Sequence, residues 1–288
     1  MRKFLFKISI FTLPLLFYFG INSAINYGIY SNQNVDLGQL DVLILGDSHP
    51  QKSINPEFLS NAKNISQLAE PYVLSYWKLK KILEFHHPDT LILGFAPHNI
   101  AEFNDLKFSK EKWAPEMFRR SYPIENFEEI ENKISIDYKS YYKTLWKQIA
   151  FYPKSNHQNY IGQYSTNESS DVSDWKKIIR RHYYWDDKQL GVSELSILYL
   201  DSIVNISKQN KITLVLVNTP VHENYANKIP KDVKLKFEKL KYKYKDQAMI
   251  FDFNKKHNYP DTYFFNSDHL NEKGAKQFTF RLKSFIRE

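Results

Sequence analysis

The chain opens on Arg2, Lys3 and Lys7, after which no charged residue appears from Ile8 through Val35. A polar stretch over residues 31–40 follows, and the pattern then changes to short apolar or β-branched runs set far apart: Asp41 to Leu45, Thr90 to Gly94, Ile212 to Val217 and Met249 to Phe253. Continuous apolar runs of this length read as strands buried on both faces, as in a parallel sheet. Between them, Pro71 to His87, Ser193 to Gln209, Lys231 to Gln247 and Asn271 to Arg287 carry helical spacing. In the first of these, Val73, Leu74, Trp77, Leu79, Ile82 and Leu83 form a broad apolar side, with Lys78, Lys80, Lys81 and Glu84 over much of the rest. That is the pattern of a helix packed on a sheet. Asn55-Pro56-Glu57 has the form of a helix start, a capping residue followed by proline and an acid. The alternation of strand and helix predicts an open α/β sheet.

Residues 101–192 break the alternation. They are rich in Trp, Tyr, Lys and Glu without a clear buried strand, which predicts a helical insertion carrying Trp113, Trp146, Trp175 and Trp185. The polar stretch Ser165 to Ser173 within it reads as an exposed loop. No internal repeat is evident. The expected organisation is a membrane segment over residues 1–30 and a single α/β domain over 31–288, interrupted by the insertion at 101–192.

The leading segment supplies the roughly 20 apolar residues of a spanning helix if it runs on through Ile25 to Tyr30, and Pro14 would only kink it. Its basic flank should stay in the cytoplasm, which puts the domain on the far side of the membrane. A cleaved signal peptide is the competing reading. Its cleavage site would be Asn22-Ser23-Ala24, where the first position is not small, so an uncleaved anchor is expected.

At 288 residues and 42% hydrophobic content the chain can build a proper core. It has no cysteine, which excludes disulfides, thiolate catalysis and cysteine-based zinc sites. A net charge of +8 suits nucleic acid, anionic lipid or acidic glycans. The lysines are dispersed, so no nucleic-acid partner is expected, and the lysine-rich helix beginning at Lys231 reads as a solvated face that near a membrane can touch anionic lipid.

In open α/β sheets, ligands sit outside the carboxyl ends of the strands. After the first run comes Gly46-Asp47-Ser48-His49, and after the second Pro97-His98-Asn99. After the third comes Asn218-Thr219-Pro220-Val221-His222, and after the fourth Asp252 and then Asn266-Ser267-Asp268-His269-Leu270-Asn271. These groups share one sheet edge, where a serine near the start of the chain and a histidine near its end can meet. Ser48 is the candidate nucleophile and His269 its base. His49, His98 and His222 line a pocket on this reading, or are partly buried histidines bonded to backbone; Asn99 lines it or caps a turn. Three histidines at one edge also raise a metal site, yet no i, i+4 pair is present, and neither metal nor cofactor is expected.

These blocks resemble the SGNH or GDSL-like hydrolase superfamily: Gly46-Asp47-Ser48, Gly94 to Asn99, and Asn266 to His269. The resemblance is closer to a membrane-anchored bacterial branch with Gly-Asp-Ser-His and a C-terminal Phe-x-x-x-x-His-Leu-Asn-x-x-Gly-Ala, matched by Phe264-Phe265-Asn266-Ser267-Asp268-His269-Leu270-Asn271-Glu272-Lys273-Gly274-Ala275. It covers about residues 41 to 100 and 211 to 288. It implies a three-layer α/β/α, flavodoxin-like sandwich with a parallel sheet, placed in the periplasm or at the cell surface. It also implies a serine-dependent ester hydrolase or acyl transferase acting on an envelope glycan or acylated small molecule, with a membrane acyl-donor partner. Ser48 would attack the ester carbonyl and His269 take its proton, with backbone N–H near Ser48 and the Asn99 side chain holding the oxyanion.

The sequence departs from that pattern at two places. Asn266 stands where the family has its acid, leaving Asp268 or Asp252 to stabilise the imidazolium. No glycine appears in Asn64-Ile65-Ser66-Gln67-Leu68-Ala69-Glu70, where the family's second block has one. The alternative function is a non-catalytic accessory or glycan-binding protein that has kept the fold after losing the acid.

Overall fold

In the computed structural model, residues 1–254 and 259–286 are described. In chain order the elements are α1 (Arg2–Asn32), β1 (Val42–Leu45), α2 (Ser48–Ser53), β2 (Ala62–Asn64), α3 (Tyr72–Ile82) and β3 (Thr90–Gly94). The insertion holds α4 (Ala114–Ser121), α5 (Tyr138–Ile149), α6 (Trp175–Tyr183) and a hairpin of β4 (Tyr184–Trp185) with β5 (Lys188–Gln189). There follow α7 (Glu194–Gln209), β6 (Thr213–Asn218), α8 (Glu223–Ala226), α9 (Lys231–Tyr244) and β7 (Met249–Asp252). A second small hairpin, β8 (Phe264–Asn266) with β9 (His269–Leu270), leads into α10 (Glu272–Ile286).

β1, β2, β3, β6 and β7 form one parallel sheet in the order β2-β1-β3-β6-β7. This is the doubly wound order of flavodoxin-like folds, which reverses between β1 and β3. Alternate residues enter two separate cores, because successive strand side chains point to opposite faces. Leu43, Leu45, Leu91, Leu93, Leu214 and Leu216 join Leu74 and Trp77 of α3, Leu200 of α7 and Phe237 of α9. Ile44, Ile92, Val215 and Val217 meet Phe278 and Leu282 of α10 on the other side. The result is the expected three-layer α/β/α arrangement.

All four expected strands form, each within one residue of the apolar run that signals it. β2 was not expected: three residues, Ala62 to Asn64, carry too little pattern to read, and it is their pairing with β1 that makes them a strand. Asn55-Pro56-Glu57 opens a single 3₁₀ turn, with the Glu57 N–H donating to Asn55 Oδ1 at 3.0 Å. The expected end of the last helix at Arg287 lies outside the described residues. The insertion holds three α-helices between longer irregular stretches, and its neck is closed by a bridge between Ala101 and Val192 and by Glu102 N–H donating to Gly191 O at 3.0 Å.

α1 is long and apolar enough to cross a membrane, by length and composition. Most of its apolar side chains stand exposed, while Asn22 and Asn26 are buried.

Candidate active site

β1 delivers Leu45 to the carboxyl edge of the sheet, and the chain turns there at Gly46, where φ is +130°. A Cβ at Gly46 would lie 2.8 Å from Pro50 Cγ and 3.2 Å from Gly94 N, so glycine is required both by conformation and by the close approach of β3. α2 begins at once, and its first-turn N–H groups can be accounted for individually. His49 N–H goes to Asp47 Oδ1 at 2.9 Å, Pro50 has none, and Gln51 N–H goes to Asp47 O at 3.2 Å. Among the described residues Ser48 N–H has no acceptor.

Ser48 Oγ lies 2.7 Å from His269 Nε2. On the other side of the ring, Asn266 Oδ1 sits 2.9 Å from both the backbone N and Nδ1 of His269. A backbone N–H can only donate, so the amide oxygen must face it, and the same oxygen then requires the proton on Nδ1. The Nε2 lone pair is thereby left facing the serine hydroxyl.

Asp268 lies beside this ring. Its Oδ1 is 3.0 Å from His269 Nδ1, although the ring hydrogen bond goes to Asn266. Its Oδ2 lies 3.5 Å from Arg181 Nη2 and 3.7 Å from His49 Nε2. Burial pushes the Asp268 carboxyl up, but His269 and the other surrounding donors outweigh it and hold the group well below the usual carboxylate range. Burial lowers His269 below its ordinary value of 6.5, partly offset by Asp268. The ring is neutral at neutral pH, as a general base must be.

Asp47 forms a second buried acidic centre. Burial would raise its carboxyl, but His98 and His49 beside it drive it far below the usual range. Its Oδ2 accepts from His98 Nε2 at 2.6 Å and from Asn99 Nδ2 at 2.9 Å. Burial and the neighbouring His49 lower His98 to about 4, so it is a neutral donor to an ionised acid. His98 stacks on His49 at 3.9 Å and on His182 at 5.1 Å between ring centroids.

A cavity of about 220 Å³ opens over Ser48 and His269, walled by Leu68, Phe103 and Trp113 and by the cations Lys107 and Arg181. Ala69, also on its wall, has φ +57°, a left-handed conformation. The loop there is held by two cations from the insertion: Arg120 Nη1 donates to Leu68 O at 2.6 Å and Lys107 Nζ to Ala69 O at 2.8 Å. Lys107 is itself buried, bonded to Asn104 Oδ1 at 2.7 Å and seated over the Phe103 ring, and burial lowers its ammonium to about 7. Ala69 N–H has no acceptor among the described residues.

Of the residues picked out from sequence, the structure thus brings Ser48, His269, Asn266 and Asp268 together. His98 reaches the cavity wall, whereas His49 is packed behind it with Nδ1 3.4 Å from Thr219 Oγ1. Three expected site residues do not line this cavity. Asn99 is spent on Asp47 and on the Ala96 N–H, because the buried Asp47 carboxylate demands donors. His222 pairs with Asp261 at 3.2 Å in a separate cavity of about 420 Å³. Asp252 takes Lys241 Nζ at 2.5 Å and Asn218 Nδ2 at 2.9 Å, so it serves the β7 edge and not the imidazole.

The sequence reading missed Ala69, Lys107, Arg181 and His182. Ala69 owes its place to a backbone conformation; the others come from the insertion, whose residues have no register to the sheet. Two donor sets, Asp47 with His49 and His98, and His49 with Asp268 and His269, bring their ligand atoms within 4.8 Å of one another. An ion in the first set would have to displace the short His98–Asp47 bond, and one in the second would compete for the imidazole that faces Ser48.

No family model matches this chain, and no curated protein does. One solved structure, a Bacteroides fragilis protein provisionally described as an acylhydrolase, is similar to it at 12% identity and a TM-score of 0.43, over 91% of this chain and 96% of that one. A likeness this distant carries no argument about chemistry.

Proposed function

We propose that this protein is a serine-dependent esterase or acyltransferase of SGNH type, anchored by α1 with its domain outside the cytoplasm, and acting on a glycan ester. The observation that carries the proposal is the single line from Asn266 Oδ1 through the His269 ring to Ser48 Oγ, with 2.9 Å on one side and 2.7 Å on the other. That line fixes the tautomer in which Nε2 can accept the serine proton.

Ser48 Oγ attacks the ester carbonyl while its proton passes to His269 Nε2. The Ser48 and Ala69 N–H groups, both without an acceptor among the described residues, receive the oxyanion. Collapse expels the alcohol, which takes the proton from Nε2 and leaves an acyl-serine. Water or a sugar hydroxyl repeats the sequence in the same order, giving hydrolysis or transfer. Asp268 supplies the negative charge that favours the imidazolium, the role the family assigns to the residue replaced by Asn266.

The cavity is small beside ordinary ligand sites of ~300 Å³ or more, which suits a short acyl group against Leu68, Phe103 and Trp113. Of the four insertion tryptophans only Trp113 is on this wall, and it offers a face for a sugar ring. The glycan itself rests on the resemblance of the motif blocks. The test is turnover of p-nitrophenyl acetate, and labelling by a serine-directed phosphonate, with the full chain in detergent. Loss of both in Ser48→Ala supports the reading; turnover or labelling that survives, or is absent from the unmutated chain, returns the protein to the non-catalytic binding class.

A further inference from the structure

We infer that α5 and the turn after it lie on the membrane surface as a second lipid contact, so that the insertion seats the domain on the bilayer from which α1 emerges. The inference rests on α1 spanning that bilayer.

The depth of one contact carries it. A span of about 20 residues starting anywhere from Phe4 to Ile8 ends between Ser23 and Tyr27. Phe19 then lies about 6 to 12 Å inside the apolar layer at 1.5 Å per residue. Yet the Phe19 ring packs on Trp146 of α5 at 5.1 Å and on Phe151 at 5.6 Å between centroids. Residues of the insertion therefore reach the depth at which interfacial helices lie, about 5 to 10 Å into the boundary.

The backbone at that place is prepared for the absence of water. α5 ends at Ile149, and a helix end leaves carbonyls that water normally satisfies. Here Asn26 of α1, fully buried, donates Nδ2 to Ile149 O at 2.8 Å and to Phe151 O at 3.0 Å, and its Oδ1 accepts from Lys154 N–H at 2.8 Å. A buried polar side chain on a largely apolar helix thus closes the groups that lipid could not.

The surface left exposed has the matching chemistry. Tyr138, Tyr142 and Trp146 recur every four residues along α5, and Tyr152 follows on the turn at 79% exposure. Beside that stripe run Lys139, Lys143 and Lys147, all exposed, with Lys154 beyond them. Aromatic rings at the interface with lysines reaching the headgroups describe a surface for an anionic bilayer. α5 packs in turn on α4 through Tyr141 and Phe118, and α4 carries the Arg120 that holds Leu68 at the cavity. The seat on the membrane and the wall of the cavity are one structural unit.

The absence of cysteine makes the test direct. The full chain is reconstituted in nanodiscs of phosphatidylethanolamine and phosphatidylglycerol with one spin-labelled cysteine at a time: Tyr142→Cys, Tyr152→Cys, Leu16→Cys in α1, and Tyr242→Cys on exposed α9. Labels at 142 and 152 should collide preferentially with oxygen, as the label at 16 does, while the label at 242 collides with a soluble nickel chelate. Nickel-like accessibility at 142 and 152 with oxygen-like accessibility at 16 would overturn the inference alone. Nickel-like accessibility at 16 as well would remove the spanning helix on which it rests. Dipolar broadening between labels at 152 would assign this face to a second copy and overturn it too.

Discussion

Asp268 lies one residue before His269 and within 3.0 Å of its Nδ1, yet the hydrogen bond of that nitrogen goes to Asn266. Orientation and charge, which a single acid supplies in a conventional triad, are divided between two side chains. Asn266 fixes the tautomer and Asp268 provides the buried negative charge.

The division can be separated by substitution. Asp268→Asn should lower kcat/KM by roughly 10²- to 10⁴-fold, within the range lost when a triad acid becomes an amide. Removing a neighbouring negative charge makes the imidazolium less favourable, so the acid limb of the pH–rate profile, already below 6.5, should move further down. An unchanged limb would show that Asp268 does not act on the ring. Asn266→Ala should reduce the rate with a smaller displacement of the limb, because no charge is removed.

Lys107 holds Ala69 O and thereby the loop that presents the Ala69 N–H. Lys107→Met should lower kcat by about 10-fold or more, with the change in KM small if the lost interaction belongs to the transition state. Steady-state kinetics on the ester substrate decides it. A rise in KM at constant kcat would make Lys107 a substrate contact instead.

Ala69 adopts φ +57° where a Cβ is disfavoured. Ala69→Gly should stabilise the protein by about 1 kcal/mol, less the entropy glycine adds to the unfolded chain, with activity retained. A denaturant midpoint that falls would show that the Ala69 methyl, on the cavity wall, contributes packing that outweighs its strain.

Lys78 and Glu70 form an ion pair at 2.5 Å, both side chains almost wholly removed from water, with Lys78 also donating to Ile65 O at 2.8 Å. Breaking it by Lys78→Met should cost about 3–5 kcal/mol, since it strands a buried carboxylate whose pKa burial already raises. Lys78→Met combined with Glu70→Gln should recover part of that loss. Equal destabilisation in the single and double variants, read by urea unfolding, would contradict the charge argument.

Much of this molecule was legible in its sequence. Apolar runs of five or six residues located the four main strands, since such runs must be buried on both faces. The strand-end rule put Ser48, His98 and the His269 block on one edge without any contact being known. The same rule misplaced His222 and Asp252, because an edge is wider than a site: His222 turned to Asp261 and Asp252 to Lys241. Asn99 was at the right edge but belongs to Asp47, whose buried carboxylate takes its amide.

What the sequence alone determined was therefore the scaffold and the sheet edge that holds Ser48 and His269, because periodicity and strand ends are local properties that survive without knowledge of partners. The tertiary structure decided which groups tune that pair. Asp268 lies beside the ring and not away from it because it sits in the turn between β8 and β9, with its Oδ1 3.0 Å from His269 Nδ1. Lys107 and Arg181 reach the cavity, and Arg120 the Leu68 carbonyl beside it, only because the insertion closes at its neck and packs back over the sheet edge. The contacts of Lys107, Arg120 and Arg181, across 38, 52 and 87 residues of chain, leave no periodic trace, and they are made by the free energy of burial in the folded state.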